Sequence, residues 1–255
     1  EELVGFSAKL RTKDFRFIPI SALNGDNVVN RSNNMSWYEG STLLHTLENV
    51  HIASDHNHID CRFPVQYVVR PQKDEFHDFR GYAGRIAGGV FKIGDDVTVL
   101  PSGFQSKIKS IETFNGSIDE AYAPMSITLT LEDDIDVSRG DMIVRPKNQP
   151  EVIQDVEMML CWMSETPLIN RGKYTLKHTS KEARCMIKDI QYKVDINTLH
   201  RLEDDKEIKC NDIAKVTLRV TQPLFADQYK DNRSTGSIII IDEATKNTVG
   251  AGMIV

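Results

Sequence analysis

Ser21-Ala22-Leu23-Asn24-Gly25-Asp26-Asn27 is the stretch best placed to meet a ligand, because the apolar run Phe17 to Ile20 ends there in a polar turn. Glycine and asparagine tolerate the left-handed backbone values that tight turns need, so a buried strand followed by a working loop is expected. Other patterns are chemically suggestive but weaker. His56-x-His58-x-x-Cys61 offers imidazole and thiolate, which suit zinc or copper, yet it lies in a polar stretch without partners to orient the ligands. It reads as a solvated connector. Glu132-Asp133-Asp134-Ile135-Asp136 with Asp141 has hard-cation chemistry but lacks the spacing of a calcium loop, and reads as an exposed turn. Arg80-Gly81-Tyr82-Ala83-Gly84 has neither the lysine nor the following helix of a phosphate loop, so a bend in a strand is expected. Arg139-Gly140-Asp141 reads as a plain turn. Arg171, Lys173, Lys177, Lys181, Arg184 and Lys188 form a basic group suited to an acidic partner, and read first as a solvated face.

The elements that position these residues change character along the chain. Leu3, Phe6 and Leu10 recur at helical spacing, Phe15 to Ile20 reads as a strand, and Ser41 or Thr42 caps a helix striped by Leu43, Leu44, Leu47 and Val50. Helix, strand and helix are part of an α/β layer, which needs several such repeats to bury both faces of its sheet. The chain therefore reads as beginning inside a domain, at residues 1–55, with His51 to Cys61 as a linker. From Phe63 onward the period is two. Arg62 to Val69 is a strand with Pro64 marking an edge, Val97 and Val99 share a face, and Ile127, Leu129 and Leu131 alternate with Ser126, Thr128 and Thr130. Glycine-rich turns between short strands predict a small closed barrel over 60–146.

Arg145 to Pro150 marks a second boundary, and alternation resumes in Val156-x-Met158-x-Leu160-x-Trp162, in Ile190, Tyr192, Val194 and Ile196, and in Val216, Leu218 and Val220. Trp162 and the methionines on such a face read as core. Ser237 to Asp242 and Thr248 to Val255 complete a second barrel over 151–255. An unpaired strand of four isoleucines would invite aggregation, so these last strands are expected to pair within a closed sheet. The fold class is mainly β: two consecutive small antiparallel barrels behind an α/β remnant.

Composition narrows the function. The 255 residues are 40% hydrophobic and 27% charged, an ordinary folded composition. A net charge of −6 speaks against a broad nucleic-acid surface. Four cysteines, Cys61, Cys161, Cys185 and Cys210, lack CxxC spacing and read as reduced thiols, not as a zinc site. There is no apolar run of about 20 residues and no signal-like start, so a cytoplasmic location without membrane contact is expected.

In order, Ser21-Ala22-Leu23-Asn24-Gly25-Asp26-Asn27, Trp37-Tyr38-Glu39-Gly40, the two barrels and Val249-Gly250-Ala251-Gly252-Met253 resemble translational GTPases of the elongation factor Tu type. Phe63-Pro64-Val65-Gln66-Tyr67-Val68-Val69-Arg70-Pro71, Phe79-Arg80-Gly81-Tyr82-Ala83-Gly84, Val99-Leu100-Pro101-Ser102-Gly103 and Asp134 to Asp141 are more similar still to the large GTPase subunit of bacterial sulfate adenylyltransferase, or ATP sulfurylase. Tyr192 to Asn197 and Ile241-Asp242 extend that likeness over the whole chain.

The resemblance implies barrels of the elongation factor Tu domain 2 and domain 3 type behind the end of a P-loop GTPase domain. It implies that Ser21, Ala22 and Leu23 meet the guanine side of GTP through backbone N–H groups. It further implies GTP and Mg2+ as cofactors of a full-length protein, and a small catalytic partner subunit in a heterodimer that makes adenosine 5′-phosphosulfate and pyrophosphate from ATP and sulfate. No nucleic acid is implied. No GxxxxGK[ST] loop, with the DxxG switch and NKxD motif that follow one, is found, so no cofactor is expected to bind this fragment tightly, and neither catalytic nor metal-ligating residues are assigned. The alternatives are an elongation-factor-like fragment that binds aminoacyl-tRNA, or a non-catalytic interaction module.

Overall fold

Period-two runs of Val, Ile, Leu and Thr pleat into strands whose apolar side chains leave from one face, and a sheet of such strands hides that face by closing on itself. The computed structural model describes residues 15–50, 56–71 and 79–255. The chain divides after Asp55 into two units, each described by itself.

The larger unit holds two barrels. In the first, β1 (Arg62–Val69), β2 (Gly81–Arg85), β3 (Val90–Lys92), β4 (Asp96–Leu100), β5 (Gln105–Thr113), β6 (Gly116–Ile118), β7 (Glu120–Tyr122), β8 (Ser126–Leu131) and β9 (Met142–Val144) follow one another. The ring runs β4-β9-β1-β2-β8-β5 and closes through β4–β5, with β6 appended to β5 and β3 paired to β7 beside it. Phe63, Val65, Tyr82, Val97, Ile108 and Leu129 fill the interior.

The second barrel comprises β10 (Glu151–Trp162), β11 (Lys173–His178), β12 (Lys181–Val194), β13 (Arg201–Leu202), β14 (Ile213–Ala226), β15 (Ser237–Ile241) and β16 (Thr248–Ile254). Its ring, β11-β15-β16-β10-β14-β12, closes through β11–β12, and β13 extends β12. Val156, Met158, Leu160 and Trp162 are core, as their alternation predicts, and the Trp162 indole donates to the Thr166 carbonyl at 2.8 Å. The isoleucine strand β15 has a partner on each side, β11 and β16, so it exposes no edge.

In this larger unit three sequence expectations need correction. Pro64 does not mark an edge strand: β1 pairs with β9 over Arg62–Pro64 and with β2 over Val65–Val69, so the missing N–H falls ahead of the β2 ladder. Ile190, Tyr192, Val194 and Ile196 do not share a face, because register shifts between Ile187 and Asp189 and between Ile190 and Tyr192 rotate the strand. Ile190 is buried, while Ile196 lies 57% exposed beyond the end of β12. Residues 57–61 are not a solvated connector. The Asn57 side chain accepts from the Ile59 and Asp60 amides, both at 2.9 Å, and donates to the Asp231 carbonyl at 3.2 Å, while Cys61 is fully buried.

Arg62 joins the barrels. Its guanidinium lies against Asp227, just past the end of β14, with two 2.9 Å hydrogen bonds, and its Nη1 donates to the carbonyls of Cys61 (3.0 Å) and Asn148 (2.7 Å) and to Asn148 Oδ1 (2.8 Å). Asp227 also accepts from the Thr235 hydroxyl at 2.6 Å, and the buried His178 ring donates Nε2–H to the Thr235 carbonyl at 2.6 Å. Asn148 in turn holds Asp60, whose carboxyl lies below its usual range chiefly because of that hydrogen bond. Beside this polar knot, Leu100, Met142 and Val144 on the outside of the first barrel pack with Phe225 of the second.

In the smaller unit, α1 (Leu43–Asn49) starts at Thr42, whose hydroxyl accepts from the His45 amide at 3.4 Å; Val50 lies just past its end. Phe15 to Ile20 carries no ladder, contrary to the expected strand, because no neighbouring strand in this unit lies among the described residues. The expected Leu3-Phe6-Leu10 helix and residues 51–55 of the expected linker lie outside the described residues.

Candidate functional site

Ser21 to Asp26 forms a tight turn closed by an isolated antiparallel bridge between its ends. The Ser21 amide donates to the Asp26 carbonyl at 3.2 Å, and the Gly25 amide donates to the Ser21 carbonyl at 2.8 Å. Gly25 has φ +75, a value at which any side chain would be strained. The Ser21 hydroxyl stays inside the turn and accepts from the Asn24 amide at 3.4 Å. Ala22 and Leu23 occupy the tip, with Leu23 95% exposed. Among the described residues neither the Ala22 nor the Leu23 amide has an acceptor. Two unpaired donors at an exposed tip suit a carbonyl oxygen and offer nothing to an amino group.

The turn rests on a folded base. Asn27, 1% exposed and at φ +55, donates from Nδ2 to the Pro19 carbonyl at 2.9 Å and accepts the Ser32 amide on Oδ1 at 2.9 Å. Ser32 caps a 3-10 turn at Asn33–Met35, and its hydroxyl donates to Asp26 Oδ1 at 2.6 Å. The carbonyls of Asn27 and Val28 accept from the Leu43 and Leu44 amides at 3.0 and 2.9 Å, so the first turn of α1 is tied to the same base. Arg31 spans the following loop to the carbonyls of Glu39 and Gly40. Sequence reasoning recognised Asn27 only as part of a turn. The signal available was an Asn beside Gly-Asp, a residue able both to adopt a left-handed backbone and to bond locally.

The weaker sequence candidates resolve into structure. His56 and His58 are exposed while the Cys61 thiol points inward to the Val90 carbonyl at 3.2 Å, so the three do not converge. Among the described residues no group of three or more His, Cys, Asp or Glu is arranged to hold a metal. Asp134 and Asp136 pair with Arg80, and Asp133 accepts from Ser106 at 2.7 Å. The string Asp78-Phe79-Arg80-Gly81 spells DxxG, but Gly81 opens β2 and Arg80 is bonded into the barrel wall, so it is no nucleotide switch; Asp78 itself lies outside the described residues. The basic group is dispersed. Lys188 pairs with Asp155 and Arg184 with Glu243, while Lys181 donates to the Pro223 carbonyl at 2.9 Å, its pKa lowered by burial.

Residues 155–255 match the family described as GTP-eEF1A C-terminal domain-like. The whole chain is 47% identical over 255 residues to the bifunctional enzyme CysN/CysC of Mycobacterium tuberculosis (strain CDC 1551 / Oshkosh), of which it spans 42%. It is 47% identical over 258 residues to sulfate adenylyltransferase subunit 1 of Bacteroides thetaiotaomicron, with 98% of the chain and 52% of that relative covered. Among solved structures, sup35 complexed with GDP superposes with a TM-score of 0.71 over 94% of this chain and 58% of that one; at 18% identity the likeness is one of fold. The chain thus spans about half, or less, of the length of these relatives. Along its length it is a homologue of sulfate adenylyltransferase subunit 1 and of CysN/CysC, and it shares its fold with sup35.

Proposed function

We propose that this chain is the C-terminal part of the GTPase subunit of a sulfate adenylyltransferase, the enzyme that makes adenosine 5′-phosphosulfate and pyrophosphate from ATP and sulfate. The observation that carries this reading is identity of 47% over 98% of the chain to a protein named subunit 1 of that enzyme. In the full-length protein, GTP hydrolysis drives the unfavourable adenylyl transfer on a small catalytic partner subunit, through domains whose arrangement depends on the nucleotide. Residues 1–55 are the end of the P-loop GTPase domain, 60–146 the first barrel and 151–255 the second. The cytoplasm is the proposed location; among the described residues no helix is long and apolar enough to cross a membrane.

Within this reading Ser21, Ala22 and Leu23 form the guanine side of the GTP site. The free Ala22 and Leu23 amides suit the guanine carbonyl, and adenine, with an amino group there, would leave them unpaired at a cost of about 1–3 kcal/mol. Mg2+ would supply charge neutralisation at the phosphates; no residue of this chain is assigned as its ligand, and no hydrolytic step is assigned to this chain.

The test is co-expression of the full-length subunit with the small subunit. Co-purification and GTP-dependent formation of adenosine 5′-phosphosulfate are expected, whereas the 255-residue chain alone should not hydrolyse GTP. Failure of the two subunits to associate, with retention of labelled aminoacyl-tRNA instead, would move the protein to the translation-factor class.

A further inference from the structure

The turn presenting Ala22 and Leu23 has little to hold its shape from within. Its internal bonds are the Ser21–Asp26 bridge, the Gly25-to-Ser21 bond and a long Asn24 contact to the Ser21 hydroxyl. A turn so lightly tied fixes the direction of its tip amides only if its base is fixed. Asn27 sits at that base and is the most buried polar residue of the smaller unit's described part. Its side chain reaches three segments: Pro19, on the chain entering the turn; Ser32, on the chain beyond it; and Met35, whose sulfur lies 3.3 Å from Nδ2. Pro19 precedes the turn and Asn27 follows it, so the 2.9 Å bond from Nδ2 to the Pro19 carbonyl closes the loop across its neck.

Besides the Ser21–Asp26 backbone bridge, the Asp26 side chain adds no second tie of this kind. Its Oδ1 accepts from Ser32 at 2.6 Å and from Asn34 at 3.4 Å, both on the outgoing chain, and neither bond crosses the neck. The Asn27 backbone adds a constraint of its own: φ +55 redirects the chain, and its carbonyl receives the Leu43 amide at 3.0 Å, so the neck is anchored to α1.

We propose that Asn27 is the positioning residue of the guanine-facing turn: by clamping Pro19 to Ser32 it aims the Ala22 and Leu23 amides, and so sets the preference for a purine with a carbonyl at position 6. The proposal rests on the guanine reading above. Asn27 does not touch the base. A merely structural role would weaken every nucleotide alike, whereas a positioning role acts on the contact to the 6-oxygen.

The experiment uses the full-length subunit as wild type, Asn27→Gly and Asn27→Asp. Glycine keeps the left-handed backbone and removes the side chain; aspartate keeps the acceptor for Ser32 and removes the donor to Pro19. Affinities for GDP and for the diphosphate of 2-aminopurine riboside, which keeps the exocyclic amine but lacks the 6-oxygen, are measured by competition against a fluorescent guanine nucleotide. The wild type is expected to prefer GDP by roughly 5- to 150-fold, the range for one unpaired donor. Both variants should shrink that preference towards unity while binding of the 2-aminopurine nucleotide moves by less than about threefold. Should glycine prevent folding, the aspartate variant carries the test alone. Equal weakening of both nucleotides, or a wild-type preference retained in the aspartate variant, overturns the positioning role. A wild type without preference overturns the guanine reading itself, and the proposal with it.

Discussion

Replacing Arg62 with Met would remove one side chain from the junction between the barrels and strand several others. The guanidinium and the Asp227 carboxylate are 4% and 14% exposed, so the pair lies well inside the protein. Loss of the cation leaves Asp227, among the described residues, with only the Thr235 hydroxyl bonded to its side chain, and deprives Cys61 and Asn148 of a donor. Breaking a buried ion pair from one side costs about 3–5 kcal/mol, because the remaining charge is desolvated and uncompensated. Against a total stability of about 5–15 kcal/mol this is a large share. Urea denaturation followed by Trp162 fluorescence, in a Trp37→Phe background, should show Arg62→Met destabilised by about that amount. The double replacement Arg62→Met, Asp227→Leu should recover most of the loss, since an apolar pair of similar volume removes the stranded charge. An Arg62→Met loss below about 1 kcal/mol, the value of an exposed bridge, would refute the claim that this pair holds the barrels together.

Three further outcomes follow from buried groups. His178 is buried against Thr235, with Asp227 and Lys181 its charged neighbours, and burial lowers its pKa below the ordinary 6.5. Below pH 6.5 the unfolded chain therefore takes up a proton that the native one refuses. Stability should be full above that pH and fall by up to about 1.4 kcal/mol per unit on acidification until the native pKa is reached. Denaturation midpoints at pH 7.5 and 5.5 check this, and His178→Gln should flatten the difference. Burial also pushes the Cys185 thiol up to about 12 and raises Cys61, whereas Cys210 is exposed. At pH 8 a disulfide reagent should modify Cys210 in the native protein and reach Cys61 and Cys185 only on unfolding; rapid native labelling of Cys185 would contradict the packing. Gly89 has φ +76, and a Cβ there would stand 2.5 Å from the Cys61 Cα. Gly89→Ala should cost more than about 1 kcal/mol, read as a lowered thermal midpoint.

What was legible in the sequence was whatever a local period encodes. Val156, Met158, Leu160 and Trp162 announce a strand and its inner face, and Thr42 announces a helix start. Bulges are invisible to that reading, because one extra residue in β12 moves Tyr192 and Val194 off the face that alternation assigns them. Long-range partners are equally hidden. Nothing near Arg62 states that its counter-charge is Asp227, and Asn57 to Asp60 looks like linker because its bonding partners, Gly89, Asn148 and Asp231, are far away in sequence. At the candidate site the Ser21 to Asp26 turn was readable from Gly25 and the residues around it. The role of Asn27 was not, since it depends on Pro19 and Ser32 meeting in space.

The bond between Arg62 and Asp227 also has a place in time. The two residues are 165 positions apart, so a ribosome adding 5–20 residues per second delivers the carboxylate roughly 8–33 s after the guanidinium. The first barrel is complete in sequence well before then. During synthesis it must hold its docking cation without its counter-ion, beside the apolar patch of Leu100, Met142 and Val144 that Phe225 later covers. Through that interval cation and patch are open to a wrong partner, and it ends only when Asp227, just past β14, leaves the exit tunnel.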